Sequence, residues 1–117
     1  MKKILSVLLA LVLLISSVSF VLAEQELAKV AFIVKSYNDT YTYLVGEIFE
    51  KYAKETYADL YSVDMFDGEL SNEVINNLID TCVANGYDII IFQQNDPDTP
   101  IANVKAAVEA GVKVIVT

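Results

Sequence analysis

Asp88–Pro100, DIIIFQQNDPDTP, is the stretch whose reading decides the fold. Ile89, Ile90, Ile91 and Phe92 form an unbroken apolar run. A half-buried strand would alternate; a continuous run is the pattern of a parallel strand covered on both faces. The run stops at Gln93, and the residues that follow are amides, carboxylates, a threonine and two prolines. Polar groups are therefore gathered at the carboxyl end of a central strand, the edge at which open α/β sheets bind their ligands.

Working outward from this strand, Lys29–Val34, KVAFIV, is a second nearly continuous apolar run and reads as the first strand, followed by the polar turn Lys35–Thr40. Tyr41, Leu44, Val45, Ile48, Phe49, Tyr52 and Ala53 then recur at three- and four-residue spacing, which predicts a helix with one buried stripe. Asp39 or Thr40 can cap it, and Glu47 with Lys51 and Glu50 with Lys54 are set for outward pairs at i and i+4. Ala58–Met65 alternates weakly, with Tyr61, Val63 and Met65 on one side, and predicts a less buried strand that turns at Asp67-Gly68. Leu70, Val74, Ile75, Leu78, Ile79, Cys82 and Val83 give a second helical stripe, closed by Asn85 and a left-handed Gly86 on which Tyr87 packs back. Beyond the polar loop, Thr99 reads as a cap and Pro100 as the first helical residue. Ile101, Val104, Ala107 and Val108 make a third stripe, Gly111 ends it, and Val112–Val116 is a fourth strand.

Strands starting near residues 29, 59, 88 and 112 with a helix between each pair predict right-handed crossovers and an α/β fold. The sheet is expected to be parallel, doubly wound and Rossmann-like, in the order 2-1-3-4. The sequence stops at Thr117 as a strand finishes, and the expectation is a lobe truncated after its fourth strand.

Residues 1–23 stand apart. Lys2 and Lys3 precede the apolar run Ile4–Ile15, then SSVSF and the small-residue site Val21-Leu22-Ala23, the pattern of a secretory signal peptide cleaved after Ala23. An uncleaved anchor is the rival reading, because Ile4–Leu22 carries no charge. The expected product, residues 24–117, is one small exported domain in the periplasm or cell envelope. The residue directly after the cleavage site is Glu24 and not a cysteine, so a lipid anchor is not expected.

Charge and composition close off several functions. The net charge is −8, and loss of the two leader lysines makes it −10, which repels phosphate backbones and argues against nucleic acid as a partner. With no histidine, there is no Ser-His triad, imidazole base or histidine metal site. Cys82, the single cysteine, lies on an apolar helix face and reads as a buried thiol. The four glycines are scattered and make no phosphate-cradling loop. Neither a cofactor nor a metal is expected.

Two loops remain: Ser36–Thr40 after the first strand and Gln93–Asp98 after the third. In the order 2-1-3-4 those strands are neighbours whose following helices leave on opposite faces, so a crevice opens between the loops. They offer Tyr37 and Tyr41 as flat surfaces with hydroxyls, Asn38, Gln93, Gln94 and Asn95 as amides, and Asp39 and Asp96 as acceptors. That mixture suits a neutral polyhydroxylated ligand. The same residues have plainer uses: Asn38 and Asp39 as helix caps, Asp96-Pro97 and Thr99-Pro100 as turn chemistry. Asp39 with Asp96 lacks a third ligand or a base that would make it a magnesium or catalytic site.

Residues 28–116 resemble the amino-terminal lobe of type I periplasmic sugar-binding proteins, most nearly the galactose/glucose- and ribose-binding members. The segments that carry the likeness are KVAFIVKSYNDTY, SNEVINNLIDTCVANGYDIIIF, the DP of QQNDPDTP, and VKAAVEAGVKVIV. The resemblance implies a non-enzymatic solute-binding component of a carbohydrate ABC importer, two lobes closing on a monosaccharide-like ligand, and a permease in the membrane as partner. It implies sugar contacts at Asn38, Asp39 and Tyr41, with Tyr37 adjacent, and at Gln93. The chain departs from the pattern at Thr40, where an aromatic is frequent, and near Asn72–Asn76, where a glutamine is common. The polar contacts expected after the fourth strand would fall beyond Thr117. A sugar-sensing domain of a receptor or chemotaxis system is the alternative function.

Overall fold

The computed structural model describes residues 25–117, so the expected leader and its cleavage site lie outside the described residues. Seven elements alternate: β1 (Ala28–Val34), α1 (Thr40–Thr56), β2 (Tyr61–Asp67), α2 (Asn72–Ala84), β3 (Ile89–Phe92), α3 (Ile101–Glu109) and β4 (Lys113–Val116). The strands form one sheet in the expected order β2-β1-β3-β4. Every pairing is parallel, with Val30 opposite both Val63 and Ile89, and Ile90 opposite Val114.

The central strands are apolar throughout because both faces are covered. On one face Ala31, Ile33, Ile90 and Phe92 pack against Ile75, Ile79 and Cys82 of α2 and Ala107 of α3. On the other, Val30, Phe32, Val34, Val63 and Ile91 meet Ala53, Val45 and Phe49 of α1. Gly46 lets α1 approach: a Cβ there would lie 2.5 Å from Val34 Cγ1 and 3.0 Å from Met65 Cε.

The helix ends follow their local chemistry. Asp39 caps α1 by accepting from the Thr42 N–H, and Ser71 caps α2 by accepting from the Val74 N–H. Helices α2 and α3 close alike, with glycines at φ +72° and +91°. The Gly86 N–H donates to the Val83 carbonyl and the Tyr87 N–H to that of Cys82; Gly111 and Val112 do the same to Val108 and Ala107. Both are Schellman closures, which need the left-handed residue that glycine supplies.

Several expectations need correction. Only one side of the long apolar stripe on α1 is buried: Leu44, Ile48 and Tyr52 are exposed, because Gly46 and Ala53 set the side that meets the sheet. Leu70 precedes α2 instead of lining it; its N–H donates to the Lys35 carbonyl, and Glu69 and Leu70 both take positive φ, 53° and 55°. Thr99 does not cap α3, since its Oγ1 accepts from Asn72 Nδ2, and Pro100 occupies the cap position itself. Ile101 and Val108 of α3 are exposed. Glu50 pairs with Lys54 at 2.8 Å as read, whereas Lys51 turns to Glu55 at 3.9 Å and not to Glu47. Among the described residues no helix is long and apolar enough to cross a membrane.

Candidate functional site

Three loops converge at the carboxyl rim of the sheet: Lys35–Asp39 after β1, Gly68–Ser71 after β2 and Gln93–Pro100 after β3. The first is held on both flanks. From β3, Gln93 Oε1 accepts from the Lys35 N–H at 2.9 Å, and Gln93 Nε2 donates to the Thr42 carbonyl at 3.4 Å. From β2, Asp67 Oδ1 accepts from the N–H groups of Tyr37 at 3.0 Å and Glu69 at 2.8 Å. Within the loop Ser36, 1% exposed, accepts from the Asn38 N–H through Oγ, and its carbonyl accepts from Thr42 Oγ1. The loop after β2 presses on the same place. The Gly68 N–H donates to the Val34 carbonyl, and a Cβ on Gly68 would come within 2.7 Å of that oxygen.

The residues singled out in the sequence are distributed unequally over this rim. Asn38 and Gln93 stand at the same end of the sheet, one on each of two loops joined by a hydrogen bond to Lys35. Asp39 is engaged as the α1 cap, and the Thr42 N–H, as the strongest influence, holds its carboxyl below the ordinary carboxylate range. Asp96 closes its own turn, Oδ1 accepting from the Asp98 N–H at 3.0 Å. Tyr37 turns toward the outer edge of β2, its ring edge-on to Tyr43 at 5.4 Å. Burial first, then the Asp67 and Glu50 carboxylates, raise its hydroxyl pKa. That ring borders an open cleft of about 580 Å³ which also touches Glu50, Asp64, Phe66 and Tyr87. Tyr41, at 76% exposure, and the Asn38 side chain project into solvent. A second hollow of about 310 Å³ opens beside Gln94, between Pro97, Ile101 and Val116.

Ser36, Thr42 and Asp67 were not singled out as site residues, yet they shape the loop. An aspartate at a strand's end before glycine is the one sequence signal that could have pointed to Asp67. Asn76 in α2 is also notable, because its Oδ1 is buried without a hydrogen-bond partner. Among the described residues no group of three histidine, cysteine or acidic side chains is placed to hold a metal ion.

A doubly wound parallel sheet with polar loops gathered at one carboxyl rim is a ligand-binding architecture of α/β proteins. The family model described as a periplasmic binding protein domain matches residues 30–117. The chain belongs to that family. No curated protein matches the chain.

Solved structures share the fold at low identity. An ABC transporter solute-binding protein from Burkholderia multivorans, with an unknown ligand represented as alpha-D-erythrofuranose, superposes with a TM-score of 0.69 at 22% identity, over 78% of this chain and 32% of its own. One from Clostridium phytofermentans with bound beta-D-glucose gives 0.67 at 17%, over 74% and 26%. LsrB from Clostridium saccharobutylicum, in complex with AI-2, gives 0.66 at 24%, over 75% and 26%. The chain thus spans about a third or less of the length of these structures.

Proposed function

We propose that this chain supplies the first half of a carbohydrate-binding cleft in the solute-binding component of an ABC importer, acting outside the cytoplasm and catalysing no reaction. The observation that carries the reading is the pairing of the two polar loops at one rim, in a member of the periplasmic binding protein family. The solved structure with bound beta-D-glucose, and the one whose unknown ligand is represented as a furanose, support the ligand class. Tyr37, Asn38, Asp39, Tyr41, Gln93 and Asp96 build the rim. Among them the Asn38 amide and the Tyr41 ring project freely and are the proposed points of contact, the amide toward hydroxyls and the ring toward a C–H face. The opposite wall of the cleft would come from a second lobe, and closure of the two around the sugar would present a docking surface to the permease.

Half a cleft makes few of the contacts of a whole one, so glucose should bind this chain only in the millimolar range. Titration with D-glucose followed by backbone NMR should move the amides of residues 37–41 and 93–96 in fast exchange. An unmoved rim at saturating glucose would sink the carbohydrate reading, and micromolar binding by calorimetry would sink the half-cleft.

A further inference from the structure

Gln93 and Ser36 are the buried polar side chains among the described residues, and Gln93 is 7% exposed. Both ends of its amide are engaged. Oε1 accepts from the Lys35 N–H at 2.9 Å, and Nε2 faces the Thr42 carbonyl at 3.4 Å, the longer and weaker of the two. Lys35 is the residue that leaves β1, and Thr42 lies in the first turn of α1. The two bonds therefore bracket the segment that carries Tyr37, Asn38, Asp39 and Tyr41. At 7% exposure the amide offers a sugar little surface, and a ligand that drew Oε1 away from the Lys35 N–H would leave that donor unpaired, which is costly.

We infer that Gln93 is a positioning residue: it clamps the β1–α1 loop from the neighbouring strand and aims Asn38 and Tyr41 at the rim, without itself touching the ligand. Asp67 holds the same loop from the other neighbour through the Tyr37 N–H, so the loop is fixed before any ligand arrives. The ligand-aiming part rests on the carbohydrate reading; the clamp does not.

Amide hydrogen exchange and backbone NMR on the chain test the clamp. Gln93→Leu keeps the size and removes both bonds. It should speed exchange at the Lys35 amide about three- to tenfold, the effect of losing one net hydrogen bond, and shift resonances across residues 35–42. The Ile33 and Ile90 amides should stay protected. Gln93→Glu separates a clamp from plain packing. A protonated glutamic acid can accept from Lys35 and donate to Thr42, whereas the carboxylate can only accept, so loop resonances should return toward the parent's at low pH and depart as the side chain ionises.

Unchanged Lys35 exchange in Gln93→Leu overturns the clamp. Should that variant unfold, pH-independent loop resonances in Gln93→Glu overturn it instead. In the parent, a glucose-induced shift larger at the Gln93 side-chain amide than at Asn38 overturns the aiming role. Absence of any glucose-induced shift, with the exchange results as expected, removes the carbohydrate reading and leaves the clamp standing.

Discussion

Cys82 and Tyr87 sit together at the closure of α2, and both resist ionisation. Burial, with the Asp64 carboxylate adding to it, pushes the Cys82 thiol up to about 11 from an ordinary value of 9.0. Burial and then the 2.7 Å hydrogen bond to Asp64 Oδ2 push the Tyr87 hydroxyl up to about 12 from 10.0. A group whose pKa is raised by folding contributes stability that is complete below its unfolded value and lost as pH rises through the folded one. Unfolding midpoints in denaturant should therefore hold level to about pH 8.5 and fall between pH 9 and 12. Cys82→Ala combined with Tyr87→Phe should flatten that fall, and iodoacetamide at pH 8 should modify Cys82 only after unfolding. The burial of Cys82 was legible in the sequence because its neighbours on the helix face are apolar. The cap role of Asp39 and the turn role of Asp96 were legible as alternatives to ligand contact; the engagement of Gln93 was not, because an amide at a loop serves a ligand or a backbone N–H with the same atoms.

Among the elements, α1 shows where a hydrophobic pattern stops being informative. Its apolar positions cover more of the circumference than a sheet can hide, and periodicity alone gives no means of choosing between the Val45-Phe49-Ala53 side and the Leu44-Ile48-Tyr52 side. The small residues make the choice, since Gly46 and Ala53 allow the helix axis to approach β1 and β2. Phe49 then tilts against Phe32 at 5.1 Å between ring centroids. Ile48→Ser should change stability by less than about 0.5 kcal/mol despite removing a large apolar side chain. Phe49→Ala, from a half-buried site, should cost about 2 kcal/mol, less than the full value for a core phenylalanine. Urea denaturation of the two variants settles the matter, and a larger loss at Ile48 would mean that the helix is rolled toward its other side. The strands were easier to read: continuous apolar runs marked β1 and β3 to within a residue. The weak alternation of β2, which is bonded on one side alone, misplaced it by two to three residues at each end.

At the scale of the whole molecule, the two sides of the sheet are unequally served among the described residues. Helices α2 and α3 share one face, while α1 lies over β1 and β2 on the other. The far half of that second face, with Ile89, Ile91 and Ile115, borders a wholly apolar groove of about 270 Å³ closed at one end by Tyr52, Tyr57 and Tyr61. A contiguous apolar hollow of this kind in water attracts hydrophobic dyes. 8-Anilinonaphthalene-1-sulfonate should fluoresce with the folded chain at neutral pH, and Ile115→Lys should abolish most of the signal without lowering the denaturation midpoint by more than about 1 kcal/mol. The fold class was readable from alternation and handedness; the exposure of Ile115 on β4 was not, since a covered and an exposed isoleucine look alike in sequence. The central place of β1 also has a meaning in time. The strand made first is bonded along one edge to β2 and along the other to β3, which emerges only after two helices have been synthesised. Until Phe92 leaves the ribosome, one margin of β1 has no mate, and the nascent polypeptide must wait, open and adhesive, for a partner from its own later half.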